Sequence, residues 1–269
     1  MYNQKYISAL LLVICITILS VGCNNTLSDD SQNPAGHKGK FNPFTLSVTD
    51  YDSLDGVFYV EAATVATAPP QYYVNGYVFK SRTIKDTLIS GGILTAADRV
   101  VDSFYNGGHL YQWTLGMGSD NTLPTFDATA TWSLSGDSVA AFSTTMASPK
   151  IINISGPSSY DIPKDSGIQV TWNADSYNTA GVMIAVVYQA WASRKEDSSL
   201  TTSDISYTTL TTDDGAHTIS SGDLSSFPRG GIINIYVLRA NSKDVPPTVY
   251  GKNYFIASVA RAVSEYKLY

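Results

Sequence analysis

Three histidines, His37, His109 and His217, are the chain's only imidazoles. To serve a nucleophilic mechanism, one of them would need a serine presented on a strained Gly-x-Ser-x-Gly elbow, and no such elbow occurs. Nor is there a His-x-His or His-x-x-x-His spacing to grip a metal. Carboxylates are more numerous, with Glu61, Glu196 and Glu265 the only glutamates among 23 acidic residues. A pair of them could hydrolyse glycosides only if the fold held two at a working separation, and most of the aspartates sit beside Gly, Ser or Asn, where turn formation explains them. Asp50, Asp52 and Asp55 approach a calcium loop, but the oxygens fall at positions one, three and six, so a turn into a following strand is the better reading. Phosphate-cradling glycine motifs are absent. No catalytic residue, metal or cofactor is therefore expected.

Aromatic side chains offer a different chemistry. Tyr73, Tyr77 and Phe79 share one face of a proposed strand, with Asn75 between them, and His109, Tyr111 and Trp113 share a face of another. Rings on a sheet surface beside amides can stack on the apolar face of a sugar while the amides take its hydroxyls. The same rings can equally form an inward stripe, because aromatics dominate cores, and the core reading is favoured. Tyr105 and Asn106, followed by Gly107 and Gly108, form a loop candidate for ligand contact.

Positioning these residues falls to strands. From Phe44 onward short apolar runs alternate with turn residues, and 18 tyrosines add to the β propensity. Expected strands are residues 57–63, 72–80, 82–88, 109–115, 127–134 and 139–144, then 151–154, 168–173, 182–192, 206–210, 232–240 and 254–263. Ala128, Ala130, Trp132 and Leu134 alternate with polar residues, as a half-buried strand does. The stretch 182–188 is apolar on both faces and predicts a central strand. A short helix is expected within 96–104, a hairpin turn at Asp213-Asp214-Gly215 and a capped helical turn near Ser220. A pause near Pro149 divides the chain. The expectation is an all-β chain of two antiparallel β-sandwich domains of immunoglobulin-like or fibronectin type, 43–147 and 148–269.

The first two dozen residues supply an address. Lys5 precedes an apolar run over 7–21 and then Gly22-Cys23, a run too short for a comfortable membrane span. This arrangement resembles a bacterial lipoprotein signal, with 1–22 removed, Cys23 lipidated and 23–42 serving as a flexible polar tether. The other cysteine, Cys15, lies inside the signal, so the folded part carries no thiol chemistry. A net charge of -6 without dense basic runs argues against nucleic acid.

The Trp132 to Gly136 run leading to Phe142, a Pro linker and then Ile168 to Trp172 resembles poorly characterised bacterial envelope lipoproteins built from β-sandwich domains. That resemblance implies a location and an architecture but no catalytic residues. The expected function is a lipid-anchored envelope protein, periplasmic or surface-exposed, that serves as a non-enzymatic binding, adhesion or structural module. Its expected partners are the membrane, glycans or other envelope proteins. A carbohydrate-binding lipoprotein using the Tyr/Trp platforms is the alternative, and a hydrolase with unassigned aspartates is the least supported.

Overall fold

The computed structural model describes residues 41–42, 47–48, 54–65, 68–78, 88–101, 103–105, 109–114, 122–245 and 253–269. Cys23, Phe79, Asn106, the signal, the tether up to residue 40 and nearly all of the expected strand 82–88 lie outside them, while Phe41–Asn42 at the end of the expected tether form a strand. Among the described residues no helix is long and apolar enough to cross a membrane.

The chain is all-β. Its first strands are β1 (Phe41–Asn42), β2 (Ser47–Val48), β3 (Gly56–Val65), β4 (Gln71–Val78), β5 (Leu94–Ala96) and β6 (Arg99–Val101). They are followed by β7 (Ser103–Tyr105), β8 (His109–Thr114), β9 (Thr129–Leu134), β10 (Phe142–Ala147), β11 (Ile154–Gly156) and β12 (Asp161–Ile162). After β13 (Ile168–Trp172) and β14 (Val182–Tyr188) comes the helix α1 (Ala190–Glu196), and the chain closes with β15 (Ser206–Thr211), β16 (Ala216–Ile219), β17 (Ile232–Val245) and β18 (Tyr254–Leu268).

One nine-stranded sheet runs through the molecule in the order β15-β14-β17-β18-β3-β4-β8-β7, with β12 added beside β18. Its ladders are antiparallel except β18 with β3 and β12 with β18, which are parallel. The long C-terminal hairpin makes this possible, because β18 returns past the end of β3 and captures it from Gly56 to Val65. Both edges of β18 are thus paired, its side chains are buried on both faces along its first half, and it is apolar or small along most of its length.

Two smaller sheets lie against one face of the large one. The sheet β10-β9-β5-β6 shares a core with β3, β4 and β8, in which Trp132, Leu134 and Leu94 meet Phe58, Val74 and Tyr111. The sheet β11-β13-β16 shares a second core with β14, β17 and β18, where Val170, Trp172 and Ile219 meet Ile184, Ile235 and Val237. The expected division at 147/148 falls in the connection between β10 and β11, yet Val245, Tyr254 and Ile256 from the C-terminal hairpin belong to the first core.

Between the cores the inward stripe of β17 turns polar. Arg239 donates to the Lys150 carbonyl at 3.3 Å, Asn241 to the Ala147 carbonyl at 2.9 Å, and Lys243 to Thr144 Oγ1 at 2.6 Å and the Thr145 carbonyl at 3.0 Å. These donors satisfy carbonyls of the edge strand β10 and of the linker after it that the ladders leave unpaired. Arg239 is also ion-paired, fully buried, with Asp213. The second guanidinium contact to Asp213 is 2.8 Å, and the carboxylate further accepts from Trp172 Nε1 at 2.8 Å and Asn178 Nδ2 at 2.8 Å. Burial alone would raise the Asp213 pKa, but the hydrogen bonds from Arg239, Asn178 and Trp172 outweigh it and hold the carboxyl below the ordinary range.

Several local expectations are corrected. The helix expected within 96–104 is instead a hairpin of β5 and β6, because Ala97 and Asp98 both adopt positive φ, 49° and 64°, as a primed turn requires. Asp98 Oδ1 fixes that turn by accepting the Thr131 N–H at 2.8 Å. The strand expected over 182–192 stops at Tyr188, and α1 begins two residues later. Ser193 is the cause, since its Oγ donates to the Gln189 carbonyl at 2.8 Å and accepts the Ile232 N–H at 2.7 Å. Asp213-Asp214-Gly215 does turn, but it joins β15 and β16, which belong to different sheets, so it is not a hairpin. Near Ser220 the expected cap is present as a reciprocal pair: Ser220 Oγ accepts the Asp223 N–H at 3.2 Å, and Asp223 Oδ2 accepts the Ser220 N–H at 3.1 Å.

Because its folded pKa is depressed, Asp213 contributes stability that is complete above its unfolded value near about 4 and is lost as pH falls through the lower folded value. Asp213→Asn leaves Arg239 charged and unpaired in the core, so urea unfolding at pH 7 should register a loss of about 3–5 kcal/mol. The gap between the variant and the natural chain should narrow at pH 3. An unchanged gap would assign the loss to packing.

Candidate functional site

Strand register decides which aromatic residues can meet a ligand. Cα partners across a ladder project to the same face. In the β4–β8 ladder Val74 pairs with Trp113 and Gly76 with Tyr111, whereas Tyr73, Asn75 and Tyr77 pair with Thr114, Gln112 and Leu110. The two aromatic stripes therefore point to opposite faces of the same sheet.

Tyr111 and Trp113 face the first core, 0% and 5% exposed. The Tyr111 hydroxyl closes the Gly91-Gly92 connection, donating to the Gly92 carbonyl at 2.7 Å and accepting the Gly91 N–H at 2.9 Å. Burial raises its pKa, as it does for a phenol with little water around it. Trp113 lies under the Arg99 guanidinium, 4.5 Å from the ring centroid. Gly76 is small for a reason on this face: a Cβ there would come within 2.6 Å of the Phe58 ring. These two residues position the sheet and do not meet solvent.

Tyr73, Asn75 and Tyr77 lie on the other face and are half-buried. Their β3 partners on that face are Glu61, Tyr59 and Val57. Glu61 is buried and ion-paired with Arg261, which the parallel β18–β3 ladder brings to the same side. The resulting surface holds three tyrosines, the Asn75 and Gln112 amides, and a carboxylate and guanidinium held together beside them. Tyr59 and Tyr77 both pack against a buried apolar cluster of Leu54, Val57, Phe255 and Ala257 on this face, and burial raises the Tyr77 pKa. Chemically this surface offers ring faces, amide donors and acceptors, and a fixed charge pair.

Tyr105 and His109 are paired with each other at the start of the β7–β8 ladder. Asp55, from the rejected calcium loop, instead closes the entry to β3, accepting the Asn253 N–H at 2.8 Å. Among the described residues no three His, Cys, Asp or Glu side chains converge as metal ligands. Sequence reasoning missed Tyr59, Glu61, Gln112 and Arg261. Glu61 carried the one available signal, as a glutamate in the middle of an apolar strand in a chain with few glutamates.

No protein-family model matches the chain, and neither a curated protein nor a solved structure matches it significantly. The site must be read from its own geometry.

Thermal melts should separate the two faces. Tyr111→Ala removes a ring and two hydrogen bonds from the core and should cost about 3–5 kcal/mol. Tyr73→Ala should cost about 1 kcal/mol. Equal losses would mean that Tyr73 is a packing residue like Tyr111.

Proposed function

We propose that the chain is a lipid-anchored protein of the bacterial cell envelope, tethered through Cys23 and serving as a non-enzymatic binding, adhesion or structural module. Its fold in this reading is a pair of immunoglobulin-like or fibronectin-type sandwiches joined through a common sheet. The anchor rests on the leader and on Cys23 as the only thiol left after the leader is removed. The observation that carries the binding role is the face that Tyr59, Tyr73, Asn75, Tyr77 and Gln112 share with the Glu61–Arg261 pair. Binding groups set on sheet strands are held more rigidly than groups on loops.

One observation favours a carbohydrate as the ligand of this surface. Tyr73 and Tyr77 flank Asn75 at intervals of two residues along one strand, so two rings stand about 13 Å apart with an amide about 7 Å from each. A saccharide presents apolar ring faces and hydroxyls at comparable intervals. Tyr111 and Trp113 take no part in this reading.

Two experiments test it. Fractionation of cells carrying Cys23→Ala should move the protein from the membrane to the soluble fraction; retention in the membrane would replace the lipid anchor with an uncleaved N-terminal segment. On a glycan array the natural protein should bind at least one saccharide, and Tyr73→Ala or Asn75→Ala should weaken that binding by about tenfold with the melt nearly unchanged. An array blank for the natural chain would remove the carbohydrate reading and leave the anchored module.

A further inference from the structure

Of the chain's four tryptophans, three are buried in the two cores, whereas Trp191 is 73% exposed. It stands on α1, whose position is set by Ser193 through hydrogen bonds to Gln189 and Ile232. Lys195, one turn on, places its Nζ 4.7 Å from the indole centroid and so covers one face of the ring. Arg194 and Lys195, three and four residues on and so on its side of the helix, are exposed, as are Glu196 and Asp197 beyond them. Glu196 is ion-paired with Lys267, whose pKa that carboxylate raises, and Tyr160, itself exposed, directs its hydroxyl to Glu265 at 3.5 Å.

We propose that Trp191 is a stacking platform for the apolar face of a pyranose ring, with Lys195 serving the sugar hydroxyls. The surroundings favour a sugar over a protein. A stable protein interface needs roughly 800 Å² on each side and a hot spot ringed by neighbours that exclude water. Trp191 offers one ring in a charged rim, which matches the size and polarity of a single saccharide unit. The site goes beyond the Tyr73 surface and uses separate residues. Tyr188, just before α1, pairs through Ile233 with the level of Tyr266, whereas Glu61 and Tyr73 lie at the level of Val259. The two surfaces are thus roughly 20 Å apart along the sheet and cannot share one sugar unit. The chain enters the sheet at Asp55 beside Asn253, roughly 40 Å from the level of Tyr266, so Trp191 stands at the pole away from that entry.

Tryptophan fluorescence of the intact protein reads this site, because acrylamide reaches an exposed indole far more readily than three buried ones. Titration with cellohexaose, chitohexaose or mannohexaose should protect Trp191 from quenching for at least one of them. Trp191→Ala should weaken binding of that sugar by about tenfold without changing the melt, and Trp191→Phe should retain part of it. Tyr73→Ala should leave the protection of Trp191 intact, which separates failure here from failure of the Tyr73 surface. The proposal is overturned if no hexasaccharide alters quenching, if Trp191→Ala binds like the natural chain, or if an envelope protein fraction protects Trp191 while none of the sugars does.

Discussion

The pairing of β17 with β18 is the constraint on which the rest of the structure depends. Its ladder runs unbroken from Ile232 with Lys267 to Val245 with Tyr254 and is long enough to pass beneath both small sheets. At one end Ile233, Ile235 and Val237 belong to the second core, and at the other Val245 and Tyr254 belong to the first. Burying apolar area contributes about 25 cal/mol per Å², and here one hairpin collects that contribution from two cores. Neither core keeps its full wall without it.

A spine shared in this way creates a problem where the cores meet, because the edge strand β10 and the linker after it bring unpaired backbone carbonyls against the spine. Arg239, Asn241 and Lys243 answer it at alternate positions along the same strand. The charge of Arg239 would be costly there alone, and Asp213 compensates for it while also receiving Trp172 and Asn178. The loop holding Asp213 crosses between sheets, so a contact that neutralises a charge also fixes a connection. On the other face of the sheet Arg261 on β18 reaches Glu61 on β3 beside the tyrosine surface.

Elements whose apolar period was complete within a few residues were legible in the sequence. β9, β13 and β14 announce themselves through Trp132, Trp172 and the two-sided run from Val182, and burial follows the alternation. What escaped was set by distant contacts. The turn at Ala97-Asp98 is held by Thr131, and the helix at Ala190 is held by Ile232 through Ser193, so neither carries a local signature strong enough to outweigh propensity. The parallel capture of β3 by β18 joins strands separated by most of the chain. The candidate site divides along the same line. Tyr73, Asn75 and Tyr77 could be grouped from their spacing, but whether they or Tyr111 and Trp113 faced the core depended on a register that spacing alone does not reveal.

If the hairpin is the common wall of both cores, the two halves of the chain cannot unfold independently. Differential scanning calorimetry of the soluble chain measures this directly, by comparing the calorimetric enthalpy with the van't Hoff enthalpy of the same transition. The shared spine predicts one transition in which the two enthalpies agree. Two resolved transitions, or a calorimetric enthalpy near twice the van't Hoff value, would contradict it and make the halves separate folding units that merely touch.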